Sequence, residues 1–125
     1  MKKLGRTYFG VALAIGVALG FSGCKSKDPS VLKIFVRSSS NELQQGAKVI
    51  IIGDPGSNPS TMEYVDTLLT NQSGFVAFDM TPFYDISAET VGYFDIIVKK
   101  ENKEQTGYVR SREHITSVET VVLPN

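Results

Sequence analysis

The stretch Val31-Leu32-Lys33-Ile34-Phe35-Val36-Arg37 decides the fold of this chain. Apolar side chains at Leu32, Ile34 and Val36 recur at every second position. Because successive side chains of a strand point to opposite faces, a period of two is typical of a strand with one buried face. We therefore predict a strand here, followed by a turn at Ser38-Ser39-Ser40-Asn41.

The same period recurs along the rest of the chain, between clusters of turn-forming residues. The predicted further strands cover residues 47–52, 63–70, 76–80, 92–100, 106–110 and 115–123. Gly53-Asp54-Pro55-Gly56 and Asn71-Gln72-Ser73-Gly74 are strong turn signals between them. Residues 81–91 are expected to form a loop with one helical turn beginning near Pro82. Seven short strands without an amphipathic helix predict an all-β domain, an antiparallel two-sheet β-sandwich.

The first 23 residues differ in composition from this β region and predict an export signal. Lys2, Lys3 and Arg6 precede an uncharged stretch, residues 8–21, which is shorter than a comfortable bilayer span. A polar stretch begins after Cys24, the single cysteine of the chain. Two alternatives remain open: a retained transmembrane helix, which the glycines of residues 7–24 disfavour, and secretion with a free thiol.

Phe21-Ser22-Gly23-Cys24 resembles the lipobox of bacterial lipoproteins, with Phe21 in the place of the commoner Leu. The resemblance implies that Phe21, Ser22 and Gly23 are recognised by the signal peptidase. It also implies that Cys24 is lipidated and becomes the new N-terminus, so that acyl chains anchor the protein to a membrane of the cell envelope. No acidic cluster follows Cys24, and by the same resemblance we expect the periplasmic face of the outer membrane rather than the cell surface.

The remaining chain has the size of one small domain. Removing residues 1–23 from 125 leaves 102, and it takes away three of 13 basic residues against 13 acidic ones. The resulting net charge near −3 argues against a nucleic-acid partner, whose phosphates call for a basic surface. Residues 24–30 are predicted to be the lipidated cysteine and a polar tether. Residues 31–125 are predicted to be the β-sandwich domain.

Three short motifs resemble those of carboxypeptidase-regulatory-like and transthyretin-like β-sandwich domains. They are Gly46-Ala47-Lys48-Val49, Thr70-Asn71-Gln72-Ser73-Gly74 and Gly92-Tyr93. The chain departs from the family pattern where Leu43-Gln44-Gln45 replaces a common proline, and in the length of residues 81–91. The resemblance implies an immunoglobulin-like or transthyretin-like sandwich, following an N-terminal signal helix, which acts as a stabilising or adaptor module.

No catalytic constellation is recognisable in the sequence. A hydrolase with a transthyretin-like fold needs, by resemblance, two histidines and a C-terminal Tyr-Arg-Gly-Ser. This chain has only His114 and ends differently. His114 is expected to be a solvated loop residue. Asp54, Asp79, Asp85 and Asp95 lack the dense oxygen spacing of a calcium loop. We predict no enzyme activity, no cofactor and no metal site.

The two-residue alternation also predicts apolar side chains on a sheet face that should be exposed to solvent. If Leu32 and Val49 point inward, Phe35, Ile50, Ile52 and Ile97 point outward. Two explanations are available. Residues 81–91 cover this face with Phe83, Tyr84 and Ile86, which is the explanation that we favour, or the four residues form a partner-binding surface.

Two functions from different classes fit these features. The first is a non-catalytic envelope lipoprotein whose sandwich binds another protein or stabilises an assembly. The alternative is a carbohydrate- or peptidoglycan-fragment-binding module, which would use exposed aromatic residues. The candidates for that second role are Tyr64, Phe83, Tyr84, Tyr93 and Tyr108.

Overall fold

The computed structural model of the chain describes residues 28–125. They form seven strands and one short helix. The strands are β1 (Val31–Ser38), β2 (Lys48–Gly53), β3 (Val65–Leu69), β4 (Phe75–Asp79), β5 (Val91–Lys100), β6 (Lys103–Arg112) and β7 (Thr116–Leu123), and the helix is α1 (Thr81–Ser87). Each predicted strand is present. No helix in this part of the chain is long and apolar enough to cross a membrane.

The strands are arranged in two sheets, as a β-sandwich requires. One sheet has three strands in the order β4-β1-β7, and the other has four in the order β3-β2-β5-β6. The four-stranded sheet is antiparallel throughout. In the three-stranded sheet β1 and β4 are antiparallel, but β1 and β7 run parallel, with Val31 opposite Thr116 and Ser38 opposite Leu123. The predicted two-sheet β-sandwich of seven strands is therefore confirmed, and β1–β7 is the one strand pair that is parallel where antiparallel pairing was predicted.

The parallel pair follows from a tight turn between the two sheets. β6 ends the four-stranded sheet at Arg112, and β7 begins the other sheet at Thr116, at the same end of the sandwich. Val31 at the start of β1 donates its backbone N–H to the carbonyl oxygen of Ile115, 3.1 Å away. Because both strands start at this end, they point the same way.

The inner faces of the two sheets form one hydrophobic core. Its members alternate along the strands as the period of two predicts, so the strand faces assigned from the sequence are confirmed. The fully buried side chains on the strands include Leu32, Ile34, Val36, Val49, Ile51, Phe78, Phe94, Ile96 and Val98. Burial of apolar side chains at about 1.5–3 kcal/mol each is the dominant stabilising contribution in a domain without a disulfide.

The segment 81–91 enters the core and does not cover an outer face. Phe83 and Tyr84 of α1 are buried, and the Phe83 ring meets the Phe94 ring edge-on with centroids 5.1 Å apart. Ile86 of the same helix is 71% exposed. Gly92 makes this packing possible, because a Cβ atom there would lie 2.9 Å from the Phe94 ring and 3.0 Å from the Phe83 ring. The expectation that Phe83, Tyr84 and Ile86 cover the outward-facing isoleucines is wrong.

The chain enters the domain at a well-defined end of the sandwich, which we call the tether end. Ser30 is buried, its carbonyl oxygen accepts from the N–H of Met80 at 2.8 Å, and its hydroxyl oxygen accepts from the N–H of His114 at 2.7 Å. Ser30 therefore belongs to the domain and not to the predicted tether. Strand direction places the β2–β3 loop, α1 and the β6–β7 turn at this same end.

Candidate functional site

The outer surface of the four-stranded sheet carries an apolar cluster with no cover among residues 28–125. Val49 and Ile51 are fully buried, so Ile50 and Ile52, which alternate with them on β2, point outward. Ile97 lies directly opposite Ile50 on the neighbouring strand β5. The cluster, which we call the isoleucine face, comprises Ile50, Ile52, Ile97, Val65 and Leu69.

The edge strand β3 contributes the most exposed members of the isoleucine face. Val65 pairs with Ile52 and is 58% exposed, while Leu69 pairs with Lys48 and is 64% exposed. The three isoleucines are partly buried. Exposed apolar side chains that are contiguous across neighbouring strands are the usual sign of an interaction surface.

Phe35 does not belong to this surface, although the sequence grouped it with the isoleucines. It projects from β1 of the three-stranded sheet, whose outer face lies on the opposite side of the sandwich. There its ring lies 5.5 Å from the Phe75 ring. The Lys33 ammonium lies 4.2 Å from the Phe75 centroid and 5.1 Å from that of Phe35, and the Arg37 guanidinium lies 6.0 Å from Phe35. Cations of the domain itself therefore cover these rings.

Ile50, Ile52 and Ile97 thus lie together on one outer face, as the sequence predicts. Phe35 lies on the other outer face, and Val65 and Leu69 are further members of the isoleucine face. The sequence showed that Val65 and Leu69 face the same way on their strand, but it did not show which face that was. Strand register supplies the missing information, because it places Val65 beside Ile52 and Thr67 beside Ile50.

Opposite charges border the isoleucine face along the strand direction. Asp95 lies beside Ile52 on the side nearer the tether end. Lys48 and Lys99 lie opposite each other on the other side of Ile50 and Ile97. Lys99 makes an exposed ion pair of 3.7 Å with Glu104. Exposed pairs of this kind add little stability, and the Lys99 ammonium stays accessible.

A pair of tyrosines lies next to the isoleucine face at the tether end. The Tyr93 and Tyr108 rings are stacked with centroids 6.2 Å apart. The Tyr108 hydroxyl donates to Oδ2 of Asp54 at 2.6 Å, and this bond to a carboxylate raises the pKa of Tyr108 to about 12. The bond therefore joins the β2–β3 loop to the surface of the sheet.

Hydrogen bonds within the β2–β3 loop hold the Asp54 carboxylate in place. The Oδ1 atom of Asp54 accepts from the N–H of Gly56 at 2.9 Å. The backbone carbonyl oxygen of Asp54 accepts from the N–H of Thr61 at 3.1 Å. The Thr61 hydroxyl oxygen in turn accepts from the N–H of Tyr93 at 2.8 Å. The loop is thus preorganised beside the tyrosine pair.

The other aromatic candidates pack into or against the core. Phe83 and Tyr84 are buried, and Tyr64 packs edge-on against Phe83 with centroids 5.3 Å apart. The Tyr84 hydroxyl donates to the Ser111 hydroxyl at 2.8 Å, and burial raises the pKa of Tyr84. These three side chains stabilise the core.

The remaining sequence predictions fall on several other regions. Phe21, Ser22, Gly23 and Cys24 lie outside the described residues. Among residues 28–125, no group of three His, Cys, Asp or Glu side chains is placed to hold a metal ion. The His114 ring is only partly exposed, with Nδ1 at 2.9 Å from the carbonyl oxygen of Asp28. It is thus a contact between the tether and the β6–β7 turn, not a freely solvated side chain.

Comparisons with known proteins do not assign the chain to a family. No family model matches it, and no curated protein matches it. Among solved structures, it is similar to the chlorocatechol 1,2-dioxygenase of Pseudomonas putida, with a TM-score of 0.46 and 13% identity over 78% of this chain and 60% of that one. It is also similar to a mutant of the Acinetobacter radioresistens catechol 1,2-dioxygenase, with a TM-score of 0.43 and 9% identity over 77% and 52%. The chain thus spans little more than half the length of these enzymes.

Proposed function

We propose that this chain is a small lipid-anchored protein of the cell envelope, whose β-sandwich is a non-catalytic protein-interaction module. The observation that carries the interaction role is the isoleucine face, where an antiparallel sheet ordinarily shows polar side chains to water. Neither α1 nor any other element of residues 28–125 covers it.

The comparison between the two outer faces supports the choice of this surface. On the three-stranded sheet, Lys33 and Arg37 lie over the aromatic pair. The exposed apolar side chains of that face are Val118 and Val122 of β7, 55% and 47% exposed, which lie beside Lys33 and Arg37 in the strand register. On the four-stranded sheet, Val65 and Leu69 are 58% and 64% exposed, and Val65 continues into the apolar side chains of Ile52, Ile50 and Ile97. Burial of this area by a partner would be favourable by about 25 cal/mol for each Å² removed from water.

The anchoring part of the proposal rests on the lipobox-like residues and on Cys24. Between Cys24 and Ser30, where the domain begins, the chain spans at most about 20 Å at roughly 3.4 Å per residue. The tether end would then remain close to the bilayer, and the isoleucine face would be open to the side. Outer-membrane attachment on the periplasmic side is the location that we propose.

Site-specific photo-crosslinking in intact cells tests the interaction role. A photoreactive residue at Val65 should give protein adducts, whereas the same residue at Thr120, exposed on the outer face of the three-stranded sheet, should give none. The double substitution Ile50→Lys with Ile52→Lys should abolish the Val65 adducts while the domain stays folded. Equal adducts at Val65 and Thr120 would show that the isoleucine face has no special role.

A carbohydrate-binding role is the second candidate, and the Tyr93–Tyr108 pair favours it. Aromatic rings beside a fixed carboxylate are the kind of groups that stack on sugar rings and bond to their hydroxyls. In a glycan and peptidoglycan-fragment array, Tyr108→Ala should remove any binding that the wild type shows, and Tyr64→Phe should not. An array without binding would exclude this candidate.

A further inference from the structure

The arrangement of side chains on the isoleucine face is self-complementary. Strand register places the outward side chains in rows that run across all four strands. The central row is Thr67, Ile50, Ile97 and Thr106. Two residues away, about 7 Å along the strands, lie other rows on either side.

The two flanking rows differ in charge. The aspartate row, toward the tether end, is Val65, Ile52, Asp95 and Tyr108. The lysine row, on the other side of the central row, is Leu69, Lys48, Lys99 and Glu104. In each flanking row the residue on the edge strand β3 is exposed and apolar, Val65 or Leu69. The residue on β5 is charged, Asp95 or Lys99.

We propose that a second copy of this chain packs on the isoleucine face, antiparallel to the first, around a two-fold axis along the central row. This inference rests on the proposed function, since it names the partner of the same surface. The rotation places each central-row residue opposite its own counterpart, as in isologous dimers. The lysine row of each copy then lies over the aspartate row of the other.

Of the four flanking pairs created by this rotation, three match in chemistry, and the fourth sets Glu104 against Tyr108. Leu69 meets Val65, so the two most exposed apolar side chains of β3 bury each other. The Lys48 side chain extends over Ile52. Lys99 meets Asp95, and its ammonium lies between its own Glu104 and the carboxylate of the second copy. Every pair occurs twice because of the symmetry.

The parallel alternative lacks this complementarity. A two-fold axis along the strands, between β2 and β5, would place Lys48 of one copy over Lys99 of the other. It would also place Leu69 over Glu104. Like charges facing each other across an interface are unfavourable. Glu104 also lacks the long apolar stem with which Lys48 covers Ile52 in the antiparallel dimer. Charge therefore selects the antiparallel dimer.

The size of the surface determines how strong this dimer is. The isoleucine face is four strands wide, at about 4.8 Å per strand, and five residues long, at about 3.4 Å per residue. Its area is therefore roughly 300 Å². Standard interfaces bury about 800 Å² on each partner, so the dimer is weak in dilute solution. Anchoring both copies in one membrane raises their effective concentration. If the two-fold axis of the dimer lies along the membrane normal, the tethers of the two copies are at the same distance from the bilayer.

Thiol crosslinking of the full-length chain in its own membranes tests the proposal. Thr67→Cys and Thr106→Cys each place a thiol opposite its own counterpart, at a sheet spacing of about 10 Å that a short bis-maleimide spans. We expect a band of twice the chain mass for both variants. Thr120→Cys on the other sheet and the wild-type chain, with Cys24 alone, should give none. No band at Thr67 and Thr106, or equal bands at Thr120, would overturn the dimer.

Charge reversal tests the antiparallel orientation. In the Thr67→Cys chain, Lys99→Asp and Asp95→Lys should each lower the crosslinked yield about three- to tenfold, because each creates two like-charge contacts. The chain with both reversals should recover the original yield. Failure to recover would overturn the antiparallel arrangement. If the crosslinks fail while Val65 still forms adducts with a different protein, this inference is wrong and the proposed function stands.

Discussion

At the scale of single residues, Phe78 is the strongest test of the core. It lies on the inner face of β4 opposite Leu32 and is fully buried. Phe78→Ala should destabilise the domain by about 3–5 kcal/mol, because it removes apolar contacts and leaves a cavity. Denaturant unfolding of residues 25–125 measures this cost. Phe75→Ala on the outer face is the control and should cost much less; equal shifts of the two midpoints would contradict the assignment of faces.

Tyr108 gives a prediction at the same scale that depends on pH. Its pKa in the folded protein, about 12, lies above the ordinary tyrosine value of 10.0, mainly because its hydroxyl donates a hydrogen bond to Asp54. The stability that this bond contributes is therefore fully present below about pH 10. It is lost as the pH rises through the folded pKa, since the phenolate no longer donates.

Phenolate absorbance during an alkaline titration measures this shift. Asp54→Asn should move the titration of Tyr108 part of the way back toward pH 10, because an amide oxygen accepts a weaker hydrogen bond than a carboxylate and carries no negative charge. Tyr108→Phe should remove one late-titrating tyrosine from the curve. Glu63→Gln, a substitution of another carboxylate near the tether end, is the control. An unchanged curve for Asp54→Asn would refute the bond.

At the scale of elements, two glycines separate the cost of backbone conformation from the cost of crowding. Gly46 and Gly74 both have positive φ, 76° and 75°. A Cβ atom at Gly46 meets nothing within 4 Å, whereas at Gly74 it lies 3.0 Å from Cβ of Leu43. Gly46→Ala should therefore cost about 1 kcal/mol from strain alone, and Gly74→Ala clearly more. Denaturant midpoints that are equal would contradict this account.

The same turn shows what a sequence predicts reliably. Asn71-Gln72-Ser73-Gly74 predicts a turn with a positive φ at Gly74 and a capping side chain at Asn71, and both are confirmed. The Asn71 Oδ1 accepts from the N–H groups of Ser73 at 2.9 Å and Phe75 at 3.2 Å. Signals of this kind are local, because the residues that cause the conformation also adopt it.

Pairing between elements is less predictable, because it depends on contacts between residues distant in the chain. The sequence predicts β1 and β7 as strands, but nothing in either strand predicts that they run parallel. Likewise Pro82 predicts a helical turn, whereas the burial of Phe83 depends on the space above Gly92. The strands are therefore correctly predicted, while the direction of one pair and the position of α1 are not.

At the scale of the whole molecule, the candidate site shows the same limit. Period two correctly places Phe35, Ile50, Ile52 and Ile97 outside the core. A sandwich has two outer faces, however, and only the sheet order shows that Phe35 lies on one and the isoleucines on the other. Sequence patterns give the direction of a side chain relative to its own strand. Strand order and register determine which outward side chains become neighbours.

The prediction that concerns the whole chain is the lipid on Cys24, a residue that precedes the described part of the chain. One acyl chain gives only marginal membrane binding, and several chains together give a stable anchor. Cys24→Ala should therefore abolish labelling by a fatty-acid analogue, and the protein should either leave the membrane fraction or accumulate with residues 1–23 attached. Intact mass separates these two outcomes.

Ser26→Ala, two residues further along the tether, is the control and should be labelled, processed and membrane-bound like the wild type. Equal labelling of Cys24→Ala and wild type would refute the lipid anchor, and an unlabelled wild type that keeps residues 1–23 would favour the retained transmembrane helix.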